Sequence, residues 1–172
     1  MTTLDGAVVT LRTATGADVD ALVAIRSTPE VRARWDAEVG EDAAAAIAGS
    51  LADPELHVMV VELEGVVVGS IQWAEEADPM YRHASVDIFL DPAVHGRGIG
   101  ADAVRTLTRH LVRDRGHHRL VIDPAADNVA AIACYAKVGF RAVGVMRQYE
   151  QGPDGTWHDG LLMDLVADDL VL

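Results

Sequence analysis

His95, Gly96, Arg97, Gly98, Ile99 and Gly100 place three glycines within five positions. Such a run can turn tightly and bring its main chain close to a ligand. Residues 85–90 predict a strand before it, and residues 100–115 predict a helix after it. Unpaired N–H groups at a helix N-terminus, together with the positive end of the helix dipole, favour a phosphate. A glycine-rich turn between strand and helix also occurs with no ligand, so both readings stand on this run alone.

Other residue types suggest proton transfer. Asp87 interrupts the predicted strand between Val86 and Ile88. Strand side chains alternate, so Asp87 faces away from both neighbours, and strand interiors disfavour aspartate. A carboxylate there can take a proton from an ammonium, directly or through water. An exposed strand face or a structural ion pair is the plain alternative. Asn128 and Tyr135 lie seven apart in a predicted helix, residues 128–138. They share one face, about 10 Å apart along the axis. A phenol with a pKa of about 10 is protonated at neutral pH and can donate. A helix cap at Asn128 and half-buried packing of Tyr135 are the alternatives. Glu75, Glu76 and Asp78, with Trp35, Trp73 and Tyr81, could make an acidic, aromatic mouth for an amine-rich ligand. A solvated acidic loop explains the same acids.

These residues must be positioned by elements whose order is readable. Residues 8–12 predict a short strand, and residues 16–25 a helix ended by Thr28 and Pro29. Residues 31–39, with Trp35, predict a second short helix or its loop. Residues 41–51 are alanine-rich and read as helix. Residues 57–63 and 66–73 are β-branched runs separated by Glu64 and Gly65, a hairpin signal. Residues 75–79 read as an acidic loop. Residues 120–122 predict a buried strand, and residues 140–150 and 157–166 a closing hairpin. This mixture implies an α/β fold with a mixed, largely antiparallel sheet.

Composition narrows the classes. The chain has 172 residues, half of them hydrophobic, as expected of one globular domain. A formal charge of −13 argues against a nucleic-acid partner, which needs a basic footprint. It allows steering of cations, though solubility alone explains it. The single cysteine, Cys134, excludes an internal disulfide framework and fits a reducing, cytoplasmic setting. Within the predicted helix it reads as a small packed residue. No signal peptide or membrane span is expected. The seven histidines lack metal-ligand spacing, so no metal is expected; His117 and His118 read as surface residues.

Asn128, Ala131, Tyr135, Gly139 and Phe140 fit the spacing N-x-x-A-x-x-x-Y-x-x-x-G-F. With the glycine loop and the element order, nearly the whole chain resembles the GNAT superfamily of acetyl-CoA-dependent N-acetyltransferases. The family's loop opens on Gln or Arg, where this chain has His95. The resemblance implies a GNAT fold over residues 1–172, with splayed central parallel strands. It implies acetyl-CoA held by His95, Gly96, Arg97, Gly98, Ile99, Gly100 and Asn128. The main chain of Ile88, Phe89 and Leu90 would pair with the pantetheine arm like an added strand. It further implies direct transfer in a ternary complex, with Asp87 as base and Tyr135 protonating the CoA thiolate.

Asp123 and Pro124 before Asn128, Val86 with Asp87, the 73–79 segment and Trp35 are similar to aminoglycoside 6′-N-acetyltransferases. Residues 149–165 look more like RimJ/RimL-like proteins. The implied partner is a small cationic amine, an aminoglycoside or related aminosugar, for a monomer or homodimer. A protein N-terminal amine is the alternative acceptor, and a non-catalytic acetyl-CoA-binding module is the alternative of another class.

Overall fold

A computed structural model describes residues 2–36 and 42–170 of the chain. Eight strands form one sheet: β1 (Thr3–Asp5), β2 (Val9–Thr13), β3 (Leu56–Leu63), β4 (Val66–Glu76), β5 (His83–Leu90), β6 (Arg119–Ile122), β7 (Arg141–Gln151) and β8 (Trp157–Val166). Among the described residues five α-helices accompany them: α1 (Val19–Arg26), α2 (Pro29–Trp35), α3 (Ala43–Ala52), α4 (Ile99–Arg113) and α5 (Val129–Ala136). The strand order is β1-β2-β3-β4-β5-β6-β8-β7, and among the described residues only β5 and β6 pair in parallel. The mixed, largely antiparallel sheet expected from the sequence is the observed architecture.

Alternation along the strands divides the core. Met59 and Val61 of β3 join α4 residues Ala103, Val104, Leu107 and Leu111 on one face. Val60 between them joins Leu22, Ile25, Val31 and Ile47 of α1, α2 and α3 on the other. The β3–β4 hairpin turns on Glu64 and Gly65, at φ 52° and 79°. Two successive positive φ values suit the twist of the flanking strands.

Several boundaries differ from expectation. β1 is absent from the sequence reading because three residues carry no readable period. The acidic 75–79 segment is strand up to Glu76, with Glu75 paired to Ala84 and Glu76 to His83. Residues 37–39 and 41 of the two predicted helices lie outside the described residues. His117 is not a surface residue: it is 1% exposed and bonds Glu75 through Nε2 at 2.9 Å. His118 is exposed, as expected.

The feature that opens the sheet lies between β5 and β6. They pair only at Ala84–Leu120 and Ser85–Val121. Beyond Ser85, β5 stays joined to β4 as far as Leu90 while β6 ends at Ile122. The two parallel strands therefore splay, and the β5 edge over residues 86–90 loses its strand neighbour.

Candidate active site

The splay forms a cleft of about 460 Å³. Arg34 and Trp35 of α2, Asp87 and Ile88 of β5, and Ile122 of β6 line it. Asp123, Pro124 and Ala125 follow from β6; Asn128 and Tyr135 come from α5, and Tyr149 and Glu150 from β7. Five sequence candidates thus meet there: Trp35, Asp87, Ile88, Asn128 and Tyr135.

Asp87 shares a sheet face with Phe89, which packs beside the α1–α3 cluster. It pairs across the ladder with Gln72, whose side chain hydrogen-bonds it. Asp87 is exposed to solvent along the cleft, yet protein atoms crowd round its carboxylate. Loss of hydration raises its pKa to about 6; the charges of Asp123 and Glu150 add to the rise, and the Gln72 bond opposes it. Glu150 is also raised, first by burial and then by Asp123.

Tyr135 enters from the opposite side. It is 8% exposed and belongs to the α4-side core, tilted against Phe140. Burial, then the charges of Cys134, Asp87 and Asp123, keep its phenol protonated well above the ordinary range. Asn128 caps α5, accepting from Ala131 N–H at 3.2 Å, and still lines the cleft. Its capping and cleft-lining positions coexist. Trp35 is held edge-on to Phe89 at 5.0 Å, with the Arg26 guanidinium 5.7 Å from its ring.

The glycine loop leads from β5 through a 3₁₀ turn, Pro92–Val94, to α4. Gly96 and Gly98 have φ of 72° and 80°, and Gly98 is the α4 N-cap. A Cβ at either would meet nothing within 4 Å. Glycine is used here for left-handed backbone rather than for tight packing. The first-turn N–H groups of an α-helix have no intrahelical acceptor, so those of Ile99, Gly100 and Ala101 remain available to an anion. His95 turns back on the chain: its Nε2 donates to Leu90 O at 3.2 Å. Arg97 is exposed. Ile99 buries its side chain in the core, leaving only its main chain for a ligand. Phe89 is buried, whereas Ile88 and Leu90 are half-buried.

Five acceptor candidates are not brought to the cleft. Trp73 adjoins Gln72 in β4 and so faces the other side of the sheet, buried at 5%. There it stacks on His57 at 3.9 Å and lies beneath Arg115. Glu75 is occupied by Arg115 at 3.0 Å and His117 at 2.9 Å. The Glu76 carboxylate accepts from Asp78 N–H, and Asp78 from Met80 N–H, in an exposed turn. Tyr81 is 67% exposed beside that turn.

The cleft acquires its acids elsewhere. Asp123 follows the end of β6, and Tyr149 hydrogen-bonds its carboxylate. That bond, ahead of burial, pushes the Tyr149 pKa up to about 12. Arg34 pairs with Asp127 at 2.5 Å on the rim. Asp123 at the carboxyl end of a buried strand was the legible signal. Nothing in the spacing marks Gln72, Tyr149 or Glu150, because their placement depends on ladder register and a β7 bulge. Among the described residues no group of His, Cys, Asp and Glu could hold a metal ion.

A model of the acetyltransferase (GNAT) domain matches residues 9–141. The chain belongs to this family and is an acetyl-CoA-dependent GNAT acetyltransferase. It is 34% identical over 114 residues to the N-alpha-acetyltransferase RimI of Mycobacterium tuberculosis, a match covering 64% of this chain and 70% of that protein. It is 37% identical over 84 residues to the aminoglycoside N(6′)-acetyltransferase type 1 of Klebsiella pneumoniae, covering 48% of this chain and 39% of that enzyme. The chain thus spans about two fifths of the second relative. Mycobacterium smegmatis RimJ, solved with CoA-disulfide, superposes with a TM-score of 0.84 at 24% identity, covering 99% of this chain and 88% of that one. No helix among the described residues is long and apolar enough to cross a membrane.

Proposed function

We propose that the chain moves the acetyl group of acetyl-CoA onto a primary amine of an aminoglycoside or related polycationic aminosugar. The observation that carries this reading is the set of acids in the cleft. Asp87, Asp123 and Glu150 line one cavity with the aromatic faces of Trp35 and Tyr149. One carboxylate suffices to accept a proton. Two more, placed beside it and held there at an electrostatic cost, suit an acceptor with further ammonium groups. The aromatic rings offer faces to sugar rings and cations.

In this reading the α4 first turn and the glycine loop hold the cofactor pyrophosphate. The unpaired edge of β5 takes the pantetheine arm, and a main-chain N–H there polarises the thioester carbonyl. Asp87 takes a proton from the ammonium, directly or through water; the neutral amine attacks the carbonyl carbon. The C–N bond forms, the C–S bond breaks and Tyr135 gives its proton to the departing sulfur; the new amide nitrogen sheds its second proton to solvent, from which the phenol is reprotonated. Burial makes the phenol a weaker acid. It also makes a thiolate released against the same surroundings a stronger base, so the transfer stays balanced.

The test is the salt dependence of acceptor binding. Asp123→Asn and Glu150→Gln should raise the acceptor KM with little change in kcat, and the rise should shrink as salt screens the attraction. Unchanged KM in both variants would remove the acids from acceptor binding.

A second acceptor class is a protein N-terminal amine. The similarity to RimI, over a longer stretch than the aminoglycoside enzyme, favours it. Such an acceptor contributes one reacting ammonium and gives the extra cleft acids no evident partner.

A further inference from the structure

One residue outside the cleft joins two of its walls. Asp159 of β8 accepts from Ala126 N–H through its main-chain oxygen at 2.8 Å. Its carboxylate Oδ1 accepts from Gln148 N–H, also at 2.8 Å. The first bond anchors the segment that carries Asp123. The second sits at a bulge in β7, beside Tyr149 and Glu150.

The bulge is large. The β7–β8 register passes from Met146–Gly160 to Glu150–His158, which sets residues 147–149 against Asp159 alone. Gln148 has φ 50°, left-handed backbone that a side-chain-bearing residue rarely adopts. The Asp159 carboxylate gives this turned-out N–H its acceptor. Next to it the Tyr149 ring lies over Gly160, where an added Cβ would come within 2.8 Å of Tyr149 Cδ1. On the other wall, Ala125 bridges Gly160, and Leu161 N–H donates to Pro124 O at 2.8 Å. Residues 159–161 thus fix both walls at once.

We propose that Asp159 is a positioning residue for acceptor selection: its carboxylate holds the β7 bulge that aims Tyr149 and Glu150 at Asp123 and Asp87. Strand side chains alternate, so a bulge that relaxes by one residue turns its neighbours to the opposite face. Without the carboxylate, Gln148 leaves the left-handed region and Tyr149 loses its bond to Asp123. The acceptor then meets a cleft with the base in place and one wall displaced. The inference rests on the cleft being the acceptor site, as proposed above.

Three variants test it: Asp159→Ala; Asp159→Asn, whose amide oxygen can accept the same N–H; and Asp159→Ala with Gln148→Gly, because glycine takes a positive φ unaided. Kinetics are run with kanamycin and with a free-amine peptide, acetyl-CoA affinity is read by calorimetry, and Tyr149 is followed by tyrosinate absorbance against Tyr149→Phe. Asp159→Ala should raise the acceptor KM roughly tenfold, the scale of one lost charge-assisted hydrogen bond. It should leave kcat and acetyl-CoA affinity unchanged and bring Tyr149 down from about 12. Asp159→Asn and the double variant should restore both readouts. An unmoved KM and tyrosine titration in Asp159→Ala would overturn the proposal. So would a loss shared equally by acetyl-CoA affinity and restored by neither second variant. If the wild type acetylates neither probe, the acceptor reading fails, while the tyrosine titration still decides the role of Asp159.

Discussion

Gly98→Ala separates backbone strain from ligand contact. Gly98 has φ 80° and a Cβ there would meet nothing within 4 Å, so the folded protein has room for the methyl group. The cost is conformational, about 1–2 kcal/mol for placing an L-residue in the left-handed region. At roughly 2–4 °C per kcal/mol for a chain of this size, the expected fall in Tm is about 2–8 °C. Gly65 supplies a matched control: φ 79°, equally open space, and a hairpin turn that does not line the cleft. Gly65→Ala should therefore show a similar Tm loss. Acetyl-CoA binding should divide the pair. A methyl group in the loop keeps the pyrophosphate from the α4 amides, and each charged hydrogen bond forfeited is worth about 1.5–3 kcal/mol. That corresponds to roughly 10- to 150-fold weaker affinity in Gly98→Ala and none in Gly65→Ala, measured by calorimetry. Equal Tm losses with unchanged acetyl-CoA affinity in both variants would remove the glycine loop from the cofactor site.

Asp87 acts as a base only when ionised, so kcat/KM should rise through about pH 6 and level off above it. Asp87→Asn should lower kcat/KM by roughly 10²- to 10⁴-fold. Its raised pKa means the native state binds this proton more tightly than the unfolded chain, so its ionisation lowers stability as pH rises from about 4 to about 6. Asp87→Asn should accordingly raise Tm at neutral pH and not below pH 4; the opposite sign in thermal melts would contradict the electrostatics of the cleft. Tyr135→Phe should depress kcat while sparing acetyl-CoA affinity, and full turnover in a steady-state assay would leave Tyr135 as packing alone. Asp18 is lowered from 3.8 to about 2 by Arg12, which it meets at 2.6 Å, chiefly through the side-chain hydrogen bond. Its contribution is present above pH 3.8 and lost as pH falls through about 2, so Asp18→Asn should cost about 2 kcal/mol at neutral pH in denaturant titrations.

Much of this architecture is legible because its elements carry their own period. The amphipathic α4, the Glu64–Gly65 hairpin and the Asn128-capped α5 follow from local spacing. Asp87 is legible because an acid in a strand breaks local preference. Other features depend on what stands opposite. Glu75 and Asp123 are both carboxylates beside strand residues, yet one faces His117 and Arg115 while the other faces the cleft. Trp73 and Gln72 are adjacent, and the pleat alone sends the indole into the core and the amide to Asp87. Tyr149 and Glu150 enter the cleft by way of a bulge whose acceptor, Asp159, lies on another strand. A hairpin signal contains no information about that register shift.

The products of one set of incubations decide the acceptor most directly. Purified protein is incubated with acetyl-CoA and, separately, kanamycin, kasugamycin and a peptide with a free N-terminus. Products are identified by mass spectrometry and the acetylated nitrogen by NMR. A single acetyl group on an aminosugar amine is expected, with an acceptor KM that Asp123→Asn and Glu150→Gln both raise. Acetylation of the peptide alone, with neither aminosugar modified, would contradict that expectation and assign the cleft to a protein N-terminus.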